Sequence, residues 1–172
     1  MDQLNRVDLE TFKRQDKTPI ILLLDNVRSM HNVGSAFRTA DAFAVEQLLL
    51  CGITATPPHR EIEKTALGAT QSVHWQYRKS NTEAIQHLKD NGYKIFAIEQ
   101  AEGSISLQEF QPSTTEKYAL VFGNEVHGVA EEVMKLVDGS IEIPQFGTKH
   151  SFNVSVTIGI TLWDIISKMK FY

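Results

Sequence analysis

Residues Ile20–Arg38 read IILLLDNVRSMHNVGSAFR. An unbroken apolar run followed at once by Asp, Asn and Arg is the pattern of a strand covered on both faces that ends in a polar loop. Beyond the loop, Val33, Ala36 and Phe37 fall at helical spacing, so the segment predicts strand, loop and helix in succession. Asn32 is a residue type that caps helices, Gly34 lets a second backbone come close, and Arg38 follows on the same helix. A capped helix carrying a surface arginine accounts for this stretch without any function.

The alternation continues along the chain. Further apolar runs occur at Gln47–Cys51, Val73–Tyr77, Lys94–Ile98, Tyr118–Phe122 and Ser140–Ile143, with helical patterns near 33–44, 61–67, 81–91, 129–137 and 153–169. Strand–helix alternation of this kind predicts an α/β fold with an open, mostly parallel sheet and helices on both faces. Thr54–Arg60 and Ala101–Lys117 read as loops. Residues 1–18, with Leu4, Val7, Leu9 and Phe12 at roughly helical spacing, form a short N-terminal arm packed on a domain over 19–172.

The length of 172 residues suits one domain, and 42% hydrophobic with 22% charged residues excludes a disordered tail, a fibre or a rod. No apolar run approaches the roughly 18 residues that span a bilayer, so no membrane partner is expected. The charged N-terminus is not expected to act as an export signal. One cysteine, Cys51, forms no intrachain disulfide and suits a reducing cytoplasm; at the end of an apolar strand it reads as a small core residue. Net charge is −4, unevenly spread: residues 1–80 hold ten Lys/Arg and nine Asp/Glu, and the rest seven and twelve. Arg6, Lys13, Arg14, Lys17, Arg28, Arg38, Arg60 and Lys64 are available for an RNA-facing patch, although charge alone favours a scattered, solvated surface.

Two more polar clusters follow strand ends, where open α/β sheets bind ligands. Gly123–Val129 reads GNEVHGV, a tight turn in which Glu125 either meets a cation or simply lies at a helix N-terminus. Ile143-Pro144 leads through Gly147 to Ser151-Phe152-Asn153-Val154-Ser155, where Ser151 or Asn153 caps the last helix. A GxxxxGK[ST] phosphate loop, a GxGxxG fingerprint, a GxSxG elbow and an HExxH or CxxC metal pattern are all missing. Hydrolase and dehydrogenase readings lose their key residues, and no metal is expected.

Taken in order, NVGSAFR, VFGNEVHGV and IEIPQFG with SFNVSV resemble the three motifs of the SpoU (TrmH-like) RNA ribose 2′-O-methyltransferases of the SPOUT superfamily. The resemblance covers about 20–169. It implies a C-terminal deep trefoil knot, the SPOUT α/β knot, with an S-adenosylmethionine site in the knotted loops and a homodimer. It also implies an RNA substrate, with tRNA favoured over rRNA. By position, Asn32, Arg38, Glu125, Ser151 and Asn153 match the family's functional residues, and Gly123, Ile143 and Phe152 fall where the cofactor is held. Phe152 departs from the usual leucine but stays apolar. The competing reading is an inactive knotted protein that binds RNA or S-adenosylmethionine; the presence of both Asn32 and Arg38 speaks against it. In the last helix Ile158, Leu162, Ile165 and Met169 share one face, leaving Ile160, Trp163 and Ile166 on others. Trp163 and Ile166 are therefore expected as dimer anchors.

Overall fold

A computed structural model describes residues 7–148 and 151–171; Leu4, Arg6 and His150 lie outside the described residues. The strands are β1 (Thr18–Asp25), β2 (Val45–Cys51), β3 (Trp75–Arg78), β4 (Tyr93–Ile98), β5 (Ile105–Ser106), β6 (Lys117–Phe122) and β7 (Gly139–Glu142). The helices are α1 (Leu9–Arg14), α2 (Met30–Ala42), α3 (Arg60–Ala66), α4 (Ala69–Ser72), α5 (Asn81–Asp90), α6 (Glu131–Met134) and α7 (Val154–Phe171). The strands form one sheet in the order β3-β2-β1-β6-β4-β7-β5, with parallel pairing throughout.

The central strand β1 shows why the apolar run is unbroken. Ile20, Leu22 and Leu24 enter a core with Phe37 of α2, Ile62 of α3 and Ile158 of α7. Ile21 and Leu23 enter the core on the other face, with Ile85 of α5 and Val133 of α6. Successive strand residues point to opposite faces, so both faces need apolar side chains. Gly34 lies where α2 crosses α3: a Cβ there would run into Thr65 Oγ1 and the Ile62 carbonyl.

Several expectations are corrected. The helix after β1 starts earlier than 33, and its N-cap is Ser29, whose Oγ accepts from the Asn32 N–H at 3.3 Å. Asn32 is thus inside the first turn, and its side chain is free for another task. The polar stretch 101–117 contains β5, whose Ile105 and Ser106 pair with Ile141 and Glu142; two residues are too few to show a period. The helix expected over 129–137 is only α6, and Leu136 and Val137 pack against the core beyond its end. Residues 69–72, unassigned from sequence, form α4. The arm contributes α1, which buries no residue fully; Lys17 Nζ stands 3.4 Å from the centroid of the Phe12 ring.

Ile166 is also corrected. It is only 6% exposed and belongs to the core with Ile158, Leu162 and Ile165. These positions fall at i, i+4, i+7 and i+8, a single broad helical stripe, so Ile166 is not a surface anchor. Trp163 lies outside the stripe and is 64% exposed.

Candidate active site

The three polar clusters meet at the carboxyl ends of the strands. The turn after β6 closes on itself through paired backbone hydrogen bonds between Asn124 and Gly128, both 2.9 Å. Gly128 has φ +68°, a conformation that favours glycine. Gly123 is required for space, because a Cβ there would overlap the Gly128 and Val129 backbone. Inside the turn, Asn124 Oδ1 accepts from the N–H groups of Val126 (2.9 Å) and His127 (3.1 Å). Asn124 Nδ2 donates to the Asn26 carbonyl at 2.8 Å, tying the turn to the loop after β1.

This geometry aims Glu125 at the start of α2. Its carboxylate accepts from the backbone N–H of Arg28 and of Ser29, each at 2.9 Å, and from Asn32 Nδ2 at 3.0 Å. Of the two readings of Glu125, a cation partner or a helix N-terminus, the side chain takes the second kind: it satisfies donors at the start of α2, where an anion is favoured. Burial pushes the Glu125 carboxyl upward, but these hydrogen bonds outweigh it and hold it below the usual carboxylate value.

An ionised carboxylate only accepts, so Asn32 must turn its amide nitrogen toward Glu125 and its oxygen away. That oxygen accepts from Asn153 Nδ2 at 3.2 Å. Asn153 Oδ1 in turn accepts from the Ser155 N–H (2.8 Å) and Ser155 Oγ (2.6 Å) at the entry to α7. One residue from each cluster therefore joins a continuous chain, Glu125–Asn32–Asn153. Of the two cap candidates for the last helix, Asn153 makes this N-terminal contact.

Asp25, at the end of β1, is fully buried. It accepts from Asn26 Nδ2 and the Ala130 N–H, both at 2.8 Å, and from Asn81 Nδ2. Burial raises its pKa, and the same hydrogen bonds oppose the rise. It binds together the loop after β1 and the starts of α5 and α6. Neither Asp25 nor Glu99, which follows β4 and faces the cleft described next, stands out in the sequence as a site residue; a carboxylate closing an apolar strand is the only local signal. Burial, with Asp25 beside it, pushes the Cys51 thiol up to about 12, so Cys51 is no nucleophile near neutral pH.

A cleft of about 480 Å³ opens beyond the ends of β4, β6 and β7. Glu125, Ser151 and Asn153 line it, as do Gly123, Ile143 and Phe152. Asn32 lies behind Glu125 and Asn153. Arg38 is elsewhere: it is exposed on α2, outside the lining, and has no partner among the described residues. The charged lining residues are Glu99, Glu125 and Glu142; among the described residues no Lys or Arg joins them. Such a cleft favours a cationic ligand and repels a phosphorylated one. No group of three or more His, Cys, Asp or Glu among the described residues is placed to hold a metal ion.

Comparisons with known proteins give the chain its relatives. The chain is 30% identical over 164 residues to the 23S rRNA (guanosine-2′-O-)-methyltransferase RlmB of Vibrio vulnificus, covering 95% of this chain but 65% of that protein, just under two thirds. It is also 30% identical to the tRNA (guanosine(18)-2′-O)-methyltransferase of Thermus thermophilus, covering 94% of this chain and 81% of that one. The crystal structure of an AdoMet-bound rRNA methyltransferase from Sinorhizobium meliloti superposes with a TM-score of 0.79 at 25% identity, over 87% of this chain and 56% of that chain. Residues 19–163, from the start of the sheet to the middle of α7 and so including all three clusters, match the model of the SpoU rRNA Methylase family, to which the chain belongs.

Proposed function

We propose that the protein transfers a methyl group from S-adenosylmethionine to a ribose 2′-hydroxyl of structured RNA. The observation that carries this reading is the Glu125–Asn32–Asn153 chain, which unites the three clusters at the edge of a cleft whose described charged residues are carboxylates. The lining fits the cofactor. A ligand with a sulfonium and an ammonium against one carboxylate carries net positive charge, and the lining offers it no described Lys or Arg to oppose that charge. Ile143 and Phe152 supply apolar surface for an adenine, and the absence of a side chain at Gly123 leaves backbone open to it. When bound, S-adenosylmethionine supplies an electrophilic methyl group.

The chain's own residues have distinct tasks. Glu125 and Asn32 fix the start of α2 relative to the cleft, and Asn153 fixes the start of α7. Ser151 presents a hydroxyl at the cleft. Arg38 acts as a charged clamp on the phosphate beside the target ribose and on the oxygen as it gains negative charge. A guanidinium stays protonated in water and in proteins and is a poor base; a phosphate oxygen or water takes the hydroxyl proton. Because Arg38 lies outside its own cleft, it serves the cleft of a second copy in a homodimer, and exposed Trp163 belongs to that contact.

We further infer that the segment after β6 is threaded as a trefoil knot. The insertion of β6 between β1 and β4 and the return of α7 onto α2 support this. Arg28, Arg60 and Lys64 form part of the RNA surface. The substrate class is RNA, and tRNA is taken ahead of rRNA as the first to test. The buried, unpaired cysteine suits the cytoplasm. The test is transfer of labelled methyl from S-adenosylmethionine into total tRNA and into rRNA, followed by mapping of 2′-O-methyl sites. Incorporation into tRNA is expected; cofactor binding with no incorporation into either RNA would refute the catalytic reading.

A further inference from the structure

The geometry points to Glu99 as the residue that recognises the ribose of the bound nucleoside, its carboxylate accepting from the 2′- and 3′-hydroxyls. This rests on the reading of the cleft as a site for S-adenosylmethionine. Glu99 follows the last residue of β4, is half-buried and lines the cleft. Its Oε1 accepts from the Gln100 N–H and its Oε2 from the Val129 N–H, each at 3.1 Å. Gly128 passes so close that a Cβ there would meet Glu99 Oε2. The carboxylate is therefore fixed by both loops that frame the cleft, the one after β4 and the one after β6.

Each carboxylate oxygen can accept two hydrogen bonds, and each oxygen of Glu99 spends one on a backbone N–H. One acceptor direction remains on each oxygen, side by side. Two vicinal hydroxyls are two adjacent donors, which matches that pair. An acidic side chain at a strand's carboxyl end is how doubly wound sheets commonly hold a ribose.

The other lining carboxylates are less suited. Glu125 is committed to Arg28, Ser29 and Asn32. Glu142 has no side-chain hydrogen bond among the described residues to fix its direction. Glu99 alone of the three is both held in place and left with paired acceptors.

The experiment is calorimetric titration of the full chain with S-adenosylhomocysteine and with its 2′-deoxy and 3′-deoxy analogues. Wild-type protein, Glu99→Ala and Glu99→Gln are compared. Wild type should bind the parent about tenfold or more tighter than either analogue. Glu99→Ala should bind all three with affinities within about threefold of one another, because the acceptors that read the hydroxyls are gone. Glu99→Gln, with one acceptor oxygen left, should discriminate to an intermediate degree, and it decides the matter alone if the alanine variant does not fold. A merely structural role, loosening the turn at Val129, would weaken all three ligands by one factor and leave the ratios intact; that result overturns the inference. Wild type that binds S-adenosylhomocysteine but ignores both hydroxyls also overturns it while leaving the proposed function standing. Wild type that binds none of the ligands overturns the proposed function itself.

Discussion

Asn153 and Asn32 are separated by 121 positions in the chain, and the amide of one donates to the amide oxygen of the other at 3.2 Å. With Glu125 on its other side, Asn32 must donate and accept at once. Among side chains of this size only a neutral amide does both. Asn32→Asp should be worse than Asn32→Ala, because it sets a second carboxylate against Glu125. We expect a loss of about 1–3 kcal/mol for the aspartate variant, read by thermal denaturation, together with loss of methyl transfer. Wild-type stability in Asn32→Asp would refute the chain of contacts.

Glu125 should give the site a defined acid limit. Its pKa is lowered on folding, so its contribution is present above the unfolded value, near 4.5, and is lost as pH falls through the lower folded value. Glu125→Gln should melt below wild type at pH 7, and the gap should close as the solution is acidified below pH 4.5. The side chain is exposed enough for solvent to screen it, so a difference of about 1 kcal/mol is expected. A gap that stays constant from pH 7 to pH 3 would show that the charge is not responsible.

Arg38→Ala should lower methyl transfer by about 100-fold or more while S-adenosylhomocysteine affinity stays within about twofold, since the side chain lies outside the cleft. Arg38→Lys should also be poor, because a point charge cannot replace a planar fork on phosphate. Rates and affinities measured on the same preparations check this; full activity in either variant would remove Arg38 from the mechanism.

Trp163 and Ile166 should part company. Ile166→Glu forces a charge into the core and should unfold the chain, at a cost of about 3 kcal/mol or more. Trp163→Glu changes an exposed residue, so the fold should survive and the dimer should not. Sedimentation should show wild type as two copies at micromolar concentration and Trp163→Glu as one. A fully active wild-type monomer would refute the shared site.

The sequence made the sheet readable because a parallel strand buried on both faces has to be apolar at every position, as in IILLL. It did not make the strand order readable, since nothing local in YALVF says that it enters between β1 and β4. The cap of α2 was misplaced for a physical reason. Ser29 and Asn32 are both good caps, and the choice is made by Glu125, which claims the Asn32 amide from the turn after the neighbouring strand β6. Glu125 is legible as a site residue, but two of its three partners are backbone N–H groups, which no residue pattern reveals. Glu99 is not legible in the sequence, because a single glutamate after an apolar strand looks like any other surface carboxylate until the Val129 N–H stands against it.

The place of β6 in the sheet also bears on how the protein is made. During synthesis β1, β2 and β3 can pair as soon as residue 78 has emerged, but the other edge of β1 stays open until residues 117–122 arrive to fill it. For about 90 residues of translation the most apolar strand of the protein presents unpaired N–H and C=O groups, the template on which foreign strands add. The last contacts to form are long-range ones, and such contacts fold slowly. The nascent chain should therefore depend on shielding of that edge far more than the finished protein does, and a ribosome stalled shortly before residue 117 should carry its most aggregation-prone form.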